Sequence, residues 1–264
     1  MIPEQYDWRE VFPNCTQPVF NQGNCSATYA SGTLSVVADR ICMTTKKPMK
    51  LATQELVDCD MSNYHCDGGY VNRALNFGKR KGFVPEVCYP YKGVKQECDD
   101  DHFETNECRA NNYVYRVVDY CLAQDDKGIK KEILKNGPVV AQMTIFTDLL
   151  TYKEGLYHRT DDSFKFNGQH VVKIVGWDRQ GEGADYWIVE NSWGADWGEN
   201  GYVKVLASDK SSQLDFYAIG VAVYPYSMAE YYAMQEQMGK EQQETGYQTE
   251  GDENVEVDLD NESS

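Results

Sequence analysis

The stretch QGNCSATYA, from Gln22 to Ala30, is the part of the sequence on which the fold depends. Apolar side chains follow it at helical spacing, which predicts a helix over Ser26–Ile41. The residues on its apolar face are Tyr29, Leu34, Val37, Ala38 and Ile41. Small residues in the first two turns, such as Gly32, would let this helix lie close to other structure. We therefore predict a buried core helix whose first turn carries Thr28.

The composition is that of an acidic globular protein. With 264 residues, 41% of them hydrophobic, the chain is long enough to bury a sizeable core. The net charge of −17 argues against binding to nucleic acids or anionic membranes, because both require a basic surface. No apolar run approaches the ~18 residues of a membrane span, and the residues after Met1 do not resemble a signal peptide. We expect no nucleic-acid partner and no membrane span.

The negative charge is concentrated at the C-terminal end. Residues 227–264 contain 11 acidic residues and one lysine, whereas the preceding 226 residues contain 31 acidic and 24 basic ones. We therefore predict a folded domain over residues 1–226 and an acidic tail over 227–264 that is disordered toward its end. The tail is either a solvated segment without a role or a docking segment for a protein complex. Its candidate docking residues are Met228, Tyr231, Tyr232, Met234 and Met238.

The sequence changes character after Tyr113. Runs rich in Val, Tyr, Ile and Thr alternate with Gly, Asp and Asn, which predicts a β-rich half. The predicted strands are Tyr113–Val118, Val139–Ile145, His170–Trp177, Tyr186–Asn191, Gly201–Val205 and Phe216–Val223. One helix is predicted at about Asp126–Lys135, ended by an Asn-Gly-Pro sequence. A helical first half followed by a β-rich half predicts an α+β fold with two lobes.

Three other stretches are as distinctive as QGNCSATYA. Residues 54–69 read QELVDCDMSNYHCDGG, residues 168–177 read GQHVVKIVGW, and residues 186–194 read YWIVENSWG. Together and in this order, the four stretches resemble the papain family of cysteine proteases, over about residues 2–224. Tyr29 and the segment Tyr89–Tyr91 resemble the cathepsin C branch of that family. The resemblance implies a papain-like fold with a helical lobe over about residues 10–112 and an antiparallel, barrel-like β lobe over about 113–226.

The resemblance also implies a role for each residue of a peptide-cleaving site. In the family the first motif reads Gln-Gly-x-Cys-Gly-Ser-Cys, and its second Cys is the nucleophile; Thr28 stands at that position. His170 would accept and return a proton, and Asn191 would orient its ring. Gln22 and the backbone N–H of residue 28 would stabilise the oxyanion. Trp193 would shield the hydrogen bond between His170 and Asn191 from water.

Gly68 and Gly69 match the glycine pair that, in the family, lets a substrate backbone approach the chain closely. A peptide or protein in the cleft between the two lobes is therefore the partner that the resemblance implies. It implies neither a cofactor nor a metal.

Thr28 is the residue at which the chemistry departs from that of the family. A cysteine protease works through a preformed thiolate–imidazolium pair, which an alcohol cannot form because its pKa lies far above the ~8.5 of a thiol. Threonine nucleophiles use their own terminal amine as the base, whereas Thr28 is internal. We therefore predict a catalytically inactive homologue that serves as a binding or structural component. The alternative is an active or weakly active papain-type endo- or exopeptidase.

Nine cysteines are many for a cytosolic protein, and they indicate an oxidising compartment. The resemblance implies four disulfide bonds and leaves Cys121 unpaired. The implied pairs are Cys25–Cys66, Cys59–Cys98, Cys15–Cys42, which is similar to a cathepsin B bridge, and Cys88–Cys108. We expect a secretory, lysosomal or extracellular location. The alternative is a cytoplasmic or cytoskeletal assembly, in which these thiols would be reduced.

Overall fold

A computed structural model of the chain describes residues 1–99, 108, 114–166, 169–181, 184–228, 230, 232–234 and 236–237. The chain divides into two units, residues 1–229 and residues 230–264. The helices and strands named below all belong to the first unit. The disorder predicted for the end of the acidic tail concerns residues that lie outside the described ones.

The first half of the chain is helical, as predicted. Within the described residues, α2 begins at Thr28, two residues later than expected, and continues to Thr45. It ends because Lys46 adopts a left-handed conformation (φ 59°) and donates its N–H to the carbonyl of Cys42 at 2.7 Å. No described helix is long and apolar enough to span a membrane. The helices are α1 (Trp8–Val11), α2 (Thr28–Thr45), α3 (Thr53–Cys59), α4 (Val71–Arg80) and α5 (Asp125–Asn136).

The described strands form one eight-stranded sheet. They are β1 (Tyr6–Asp7), β2 (Val117–Ala123), β3 (Val139–Met143), β4 (Leu156–Tyr157), β5 (His170–Gln180), β6 (Ala184–Glu190), β7 (Tyr202–Leu206) and β8 (Ala218–Val223). Their order is β2-β8-β3-β5-β6-β7-β4, and β1 pairs with β5. Neighbours are antiparallel except β4 and β7. The first half of the chain is mainly helical and the second half forms most of the antiparallel sheet, which confirms the predicted α+β class.

The predicted strands differ from the structure mainly at their ends, and the largest displacement is in the first. The prediction of Tyr113–Val118 begins outside the described residues, and Tyr115 forms only an isolated bridge with Phe83. The strand β2 instead runs on to Ala123, because β8 pairs with it as far as Ala218. Pairing over this length outweighs the local sequence pattern on which the prediction relied.

The helix α2 is shared between the helical half and the sheet. It contacts α3 and α4 as well as β3, β5 and β8. Nearly every residue from Thr28 to Cys42 is buried, which confirms the predicted core helix. Glycine is favoured where α2 meets β5, because a Cβ atom on residue 32 would lie 2.8 Å from Val171 Cγ1, and the side chain of Val171 would have to move. This close approach brings the first residue of α2 next to the first residues of β5.

Three buried charged side chains also join α2 to the sheet. Lys173 on β5 lies 2.7 Å from Asp39 of α2 (Nζ to Oδ2) and 2.9 Å from Glu190 of β6 (Nζ to Oε2). The hydroxyl of Tyr202 donates a further hydrogen bond to Glu190, at 2.8 Å. Burial raises the pKa of Asp39 above its usual range, and the positive charge of Lys173 opposes this shift. We call Asp39, Lys173 and Glu190 the charge triad.

The four disulfide bonds are those that the family resemblance implies. They join Cys15 to Cys42, Cys25 to Cys66, Cys59 to Cys98 and Cys88 to Cys108, and Cys121 is free and exposed. The bond from Cys25 to Cys66 links the segment before α2 to the loop that carries the glycine pair. It thereby brings the first two sequence motifs together.

Candidate functional site

Thr28 is the first residue of α2, and its side chain contacts β5. Its hydroxyl oxygen accepts a hydrogen bond from the backbone N–H of Val171, at 3.3 Å. Because Val171 directly follows His170, this contact brings the predicted nucleophile position and the predicted base into one region. Among the described residues, the hydrogen bonds of Thr28 and His170 do not connect the two side chains.

A short hydrogen bond joins His170 to Asn191 in the predicted site. The ring Nε2 of His170 lies 2.7 Å from Oδ1 of Asn191. An amide oxygen only accepts hydrogen bonds, so the ring carries its proton on Nε2 and leaves Nδ1 with a lone pair when it is neutral. The same Oδ1 accepts the backbone N–H of Ser192 at 2.8 Å, which fixes the orientation of the Asn191 amide. The structure thus brings these two predicted residues together.

The imidazole of His170 is held in its neutral form at neutral pH. Its burial lowers its pKa to about 4, and the hydrogen bond to Asn191 opposes that shift only in part. Among the described residues no charged partner contributes to this pKa, so only the hydrogen bond to Asn191 offsets part of the lost solvation of the charged form. The ring is therefore a weak base.

Trp193 packs against His170, and Trp197 packs in turn against Trp193. The ring of Trp193 lies 5.1 Å from that of His170, centroid to centroid, at an interplanar angle of 50°. Trp197 packs edge-on against Trp193 at 5.0 Å and donates its indole N–H to the carbonyl of Leu149 at 3.2 Å. This arrangement is compatible with the shielding role predicted for Trp193.

Gln22 is held by hydrogen bonds on both ends of its side chain. Its Nε2 donates to the carbonyl of Cys25 at 3.1 Å, and its Oε1 accepts from the hydroxyl of Ser192 at 2.7 Å. Its backbone carbonyl accepts from the hydroxyl of Tyr91 at 2.9 Å. The structure thus links Gln22 to the residue that follows Asn191, while one of its two amide hydrogens points to Cys25. A second amide hydrogen remains for the predicted oxyanion contact.

Positions 68 and 69 of the second motif favour glycine for different structural reasons. Gly68 has φ +103°, a conformation that other residues rarely adopt, and a Cβ atom there would meet open space. Gly69 has no room for a side chain, because its Cβ would lie 2.5 Å from Asn63 Oδ1 and 2.8 Å from Tyr29 Cγ. Both therefore serve the loop itself, and the open side of Gly68 is compatible with the predicted approach of a peptide.

The site contains contacts that sequence reasoning did not identify. The N–H of Val171 left no signal, because a backbone donor does not depend on residue type. Ser192 had a signal, since it lies inside the Asn-Ser-Trp-Gly motif, but its partner Gln22 is 170 positions away.

The described residues contain no group of three or more His, Cys, Asp or Glu side chains that could hold a metal ion.

Comparisons with known proteins cover almost the whole first unit. Residues 2–222 match the model of the papain family of cysteine proteases. The chain is 31% identical over 224 residues to Cathepsin B-like CP3 of Giardia intestinalis, which covers 83% of this chain and 74% of that protein. It is 30% identical over 257 residues to the tubulointerstitial nephritis antigen-like protein of Rattus norvegicus, which covers 84% of this chain and 55% of that protein. The solved structure of procathepsin B S9 from Trypanosoma congolense matches with a TM-score of 0.77 and 27% identity, covering 85% of this chain and 78% of that one.

Proposed function

Because the chain belongs to the papain family of cysteine proteases, as a cathepsin B-like member, we propose that it binds a peptide segment between α2 and the sheet without cleaving it. The observation that carries this proposal is the hydroxyl of Thr28. It stands at the position that the family resemblance assigns to the nucleophile, and it accepts a hydrogen bond from the N–H of Val171. The protein then acts as a binding or structural component.

The hydroxyl of Thr28 lacks the properties of a cysteine-protease nucleophile. A thiol titrates near ~8.5, and a helix N-terminus and an imidazolium lower that pKa further, whereas a hydroxyl stays protonated at neutral pH. Among the described residues, no acceptor takes the proton of Thr28, and its oxygen is itself engaged as an acceptor. The branched side chain also has restricted rotation at the start of a helix. The site therefore lacks a deprotonated nucleophile that could attack a peptide carbonyl.

The state of His170 agrees with a site that lacks a thiolate. A thiolate beside the ring would stabilise the imidazolium and raise the pKa of His170. Instead burial lowers that pKa to about 4. General-base catalysis is most efficient when the pKa of the base lies near the working pH, so this ring is poorly suited to deprotonate an alcohol.

The residues that would contact a peptide are still present. Gly68 faces open space, and Trp193 packs against His170. The four disulfide bonds additionally support function in an oxidising compartment, which we propose to be secretory, lysosomal or extracellular. We also propose that Tyr29 reflects a likeness to the cathepsin C branch. A protein complex formed through the tail, residues 227–264, is a further proposal.

The full-length protein can be tested for cleavage and for binding in parallel. We expect no turnover of a fluorogenic peptide mixture and no labelling by a thiol-directed epoxide. We also expect the same peptides, carrying fluorescein, to bind as measured by fluorescence polarisation. A Cys121→Ser variant controls for labelling of the free thiol. Turnover that disappears in His170→Ala would show an active peptidase instead, and peptides that fail to bind would contradict the binding role.

A further inference from the structure

Two exposed tyrosines and a half-buried arginine form a cluster beside the glycine pair. The guanidinium carbon of Arg73, on α4, lies 4.7 Å from the ring centroid of Tyr70 and 5.5 Å from that of Tyr64. The two tyrosine rings meet edge to face, with centroids 6.2 Å apart. The Nη1 of Arg73 donates to the backbone carbonyl of Ser62. We call Tyr64, Tyr70 and Arg73 the tyrosine–arginine cluster.

Arg73 has no carboxylate partner among the described residues, although the chain carries 42 acidic residues and only 25 basic ones. Of the seven arginines that the structure describes, Arg9, Arg40 and Arg179 form ion pairs, with Asp7, Glu132 and Asp185 respectively, and Arg73 is one of the four that form none. In the described part of the chain, the Nε and Nη2 groups of Arg73 also have no hydrogen-bond acceptor. These two groups lie on one edge of the guanidinium, the arrangement that binds a carboxylate through two parallel hydrogen bonds.

The cluster is held in a fixed position before any ligand binds. The backbone N–H of Tyr70 donates to Asn63 Oδ1 at 2.7 Å, and that of Tyr64 donates to the carbonyl of Gly68 at 3.1 Å. Between the tyrosines, Cys66 is tied to the segment before α2 by its disulfide bond. A cation fixed by two rings and a carbonyl loses little conformational entropy when it binds an anion.

The tyrosine side chains present an apolar surface beside this cation. Tyr64 is 52% exposed and Tyr70 is 48% exposed, so about half of each side chain is available to a ligand. An Asp or Glu side chain has methylene groups that can lie against such rings and a carboxylate that can reach the guanidinium. The cluster directly adjoins Gly68 and Gly69, the positions at which the proposed peptide passes.

We infer that the tyrosine–arginine cluster selects an acidic side chain, Asp or Glu, in the peptide bound between α2 and the sheet. This inference rests on the proposed function and specifies its ligand. It also differs from a general electrostatic effect. The protein has a net charge of −17, which by itself repels acidic peptides. A preference for Glu at one peptide position therefore has to come from a local cation.

The test uses the full-length protein and fluorescein-labelled octapeptide mixtures. In each mixture one position is fixed as Glu, Gln or Lys and the others are randomised, and binding is followed by fluorescence polarisation. At one position we expect the Glu mixture to bind about fivefold more tightly than the Gln mixture, and the preference to shrink at high salt. Arg73→Gln should abolish this preference. Arg73→Lys should keep only part of it, because an ammonium lacks the planar fork.

Arg80→Gln is the matched control, since it removes an exposed arginine from the same helix and should keep the full Glu preference. Circular dichroism and thermal unfolding verify that Arg73→Gln and Arg73→Lys are folded. Peptides that bind without any Glu preference, or a preference that survives in Arg73→Gln, would overturn the inference and leave the proposed function standing. If no mixture binds, the proposed function fails, and the inference fails with it.

Discussion

The strand side and the helix side of the candidate site differ in how their key side chains are supported. On the strand side, His170 is bonded to Asn191 at 2.7 Å and covered by Trp193. On the helix side, Thr28 has one longer hydrogen bond, at 3.3 Å, from a backbone N–H. Asn191 also holds the N–H of Ser192, so its amide supports the local backbone as well as the histidine. The strand side is therefore the more firmly held half of the candidate site, because its side chains also support the local backbone.

The largest effect should come from introducing a thiol on the helix side. Thr28→Cys places a thiol at the N-terminus of α2, next to the start of the strand that carries His170, where the helix dipole favours the thiolate. We expect labelling by a thiol-directed epoxide to rise from none to one adduct per chain, measured by mass spectrometry in the Cys121→Ser background. The labelling should disappear when His170→Ala is added. Without labelling, a thiol at position 28 would not be sufficient for reactivity, and Ser26 and Ala27, where the family motif reads Gly-Ser, would be the next positions to change.

The next effect concerns the charge triad, which joins the two sides. Lys173→Met leaves Asp39 and Glu190 buried without their cation, and we expect the free energy of unfolding to fall by about 3–5 kcal/mol. Urea denaturation at pH 7, followed by tryptophan fluorescence, measures this loss. Lys127→Met, at an exposed position of α5, is the control and should change stability by less than about 0.5 kcal/mol. Equal stabilities of the two variants would mean that the triad does not hold α2 to the strands.

A smaller effect should appear on the strand side as the pH falls. The unfolded chain takes up a proton on this histidine near ~6.5, whereas the folded protein holds the pKa of His170 at about 4. The unfolded state therefore binds the proton first, and His170 should make stability fall by about 2 kcal/mol between pH 7 and pH 4.5. Urea denaturation of the wild type and of His170→Gln isolates this contribution from that of Asp39. The same pH dependence in both proteins would contradict a depressed pKa of His170.

The smallest effect should come from the hydrogen bond that links Gln22 to the strand side. Ser192→Ala removes the donor to Gln22 Oε1, and we expect a loss of about 1 kcal/mol, or roughly 2–4 °C in melting temperature. Thermal unfolding by circular dichroism measures it. Ser26→Ala, at an exposed serine, provides the comparison and should leave the melting temperature nearly unchanged. A loss well above this value would indicate that Gln22 organises more of the site than its contacts suggest.

The sequence predicted the elements of the site better than the contacts between them. The first turn of α2 and the strand that begins at His170 follow from local patterns, and family resemblance supplied the disulfide pairs. The triad left one signal, a lysine in the apolar run VVKIV, which a buried strand tolerates only with a partner. That partner, Asp39, lies 134 positions away, and a single sequence contains no pairing information over such a distance. The tyrosine–arginine cluster was also only partly predictable. Tyr70 and Arg73 have a helical spacing, but Tyr64 comes from a loop, and its contact with them leaves no pattern in the sequence.

The contact of Gly32 with Val171 has a consequence for how this chain can evolve. A methyl group at position 32 would lie 2.8 Å from the side-chain Cγ1 of Val171, so the close approach of α2 to β5 favours glycine here whether or not the site performs chemistry. Selection for turnover and selection for a folded partner-binding shape therefore impose the same restriction at this residue. A lineage that abandoned peptide cleavage would gain freedom at position 28 and none at position 32.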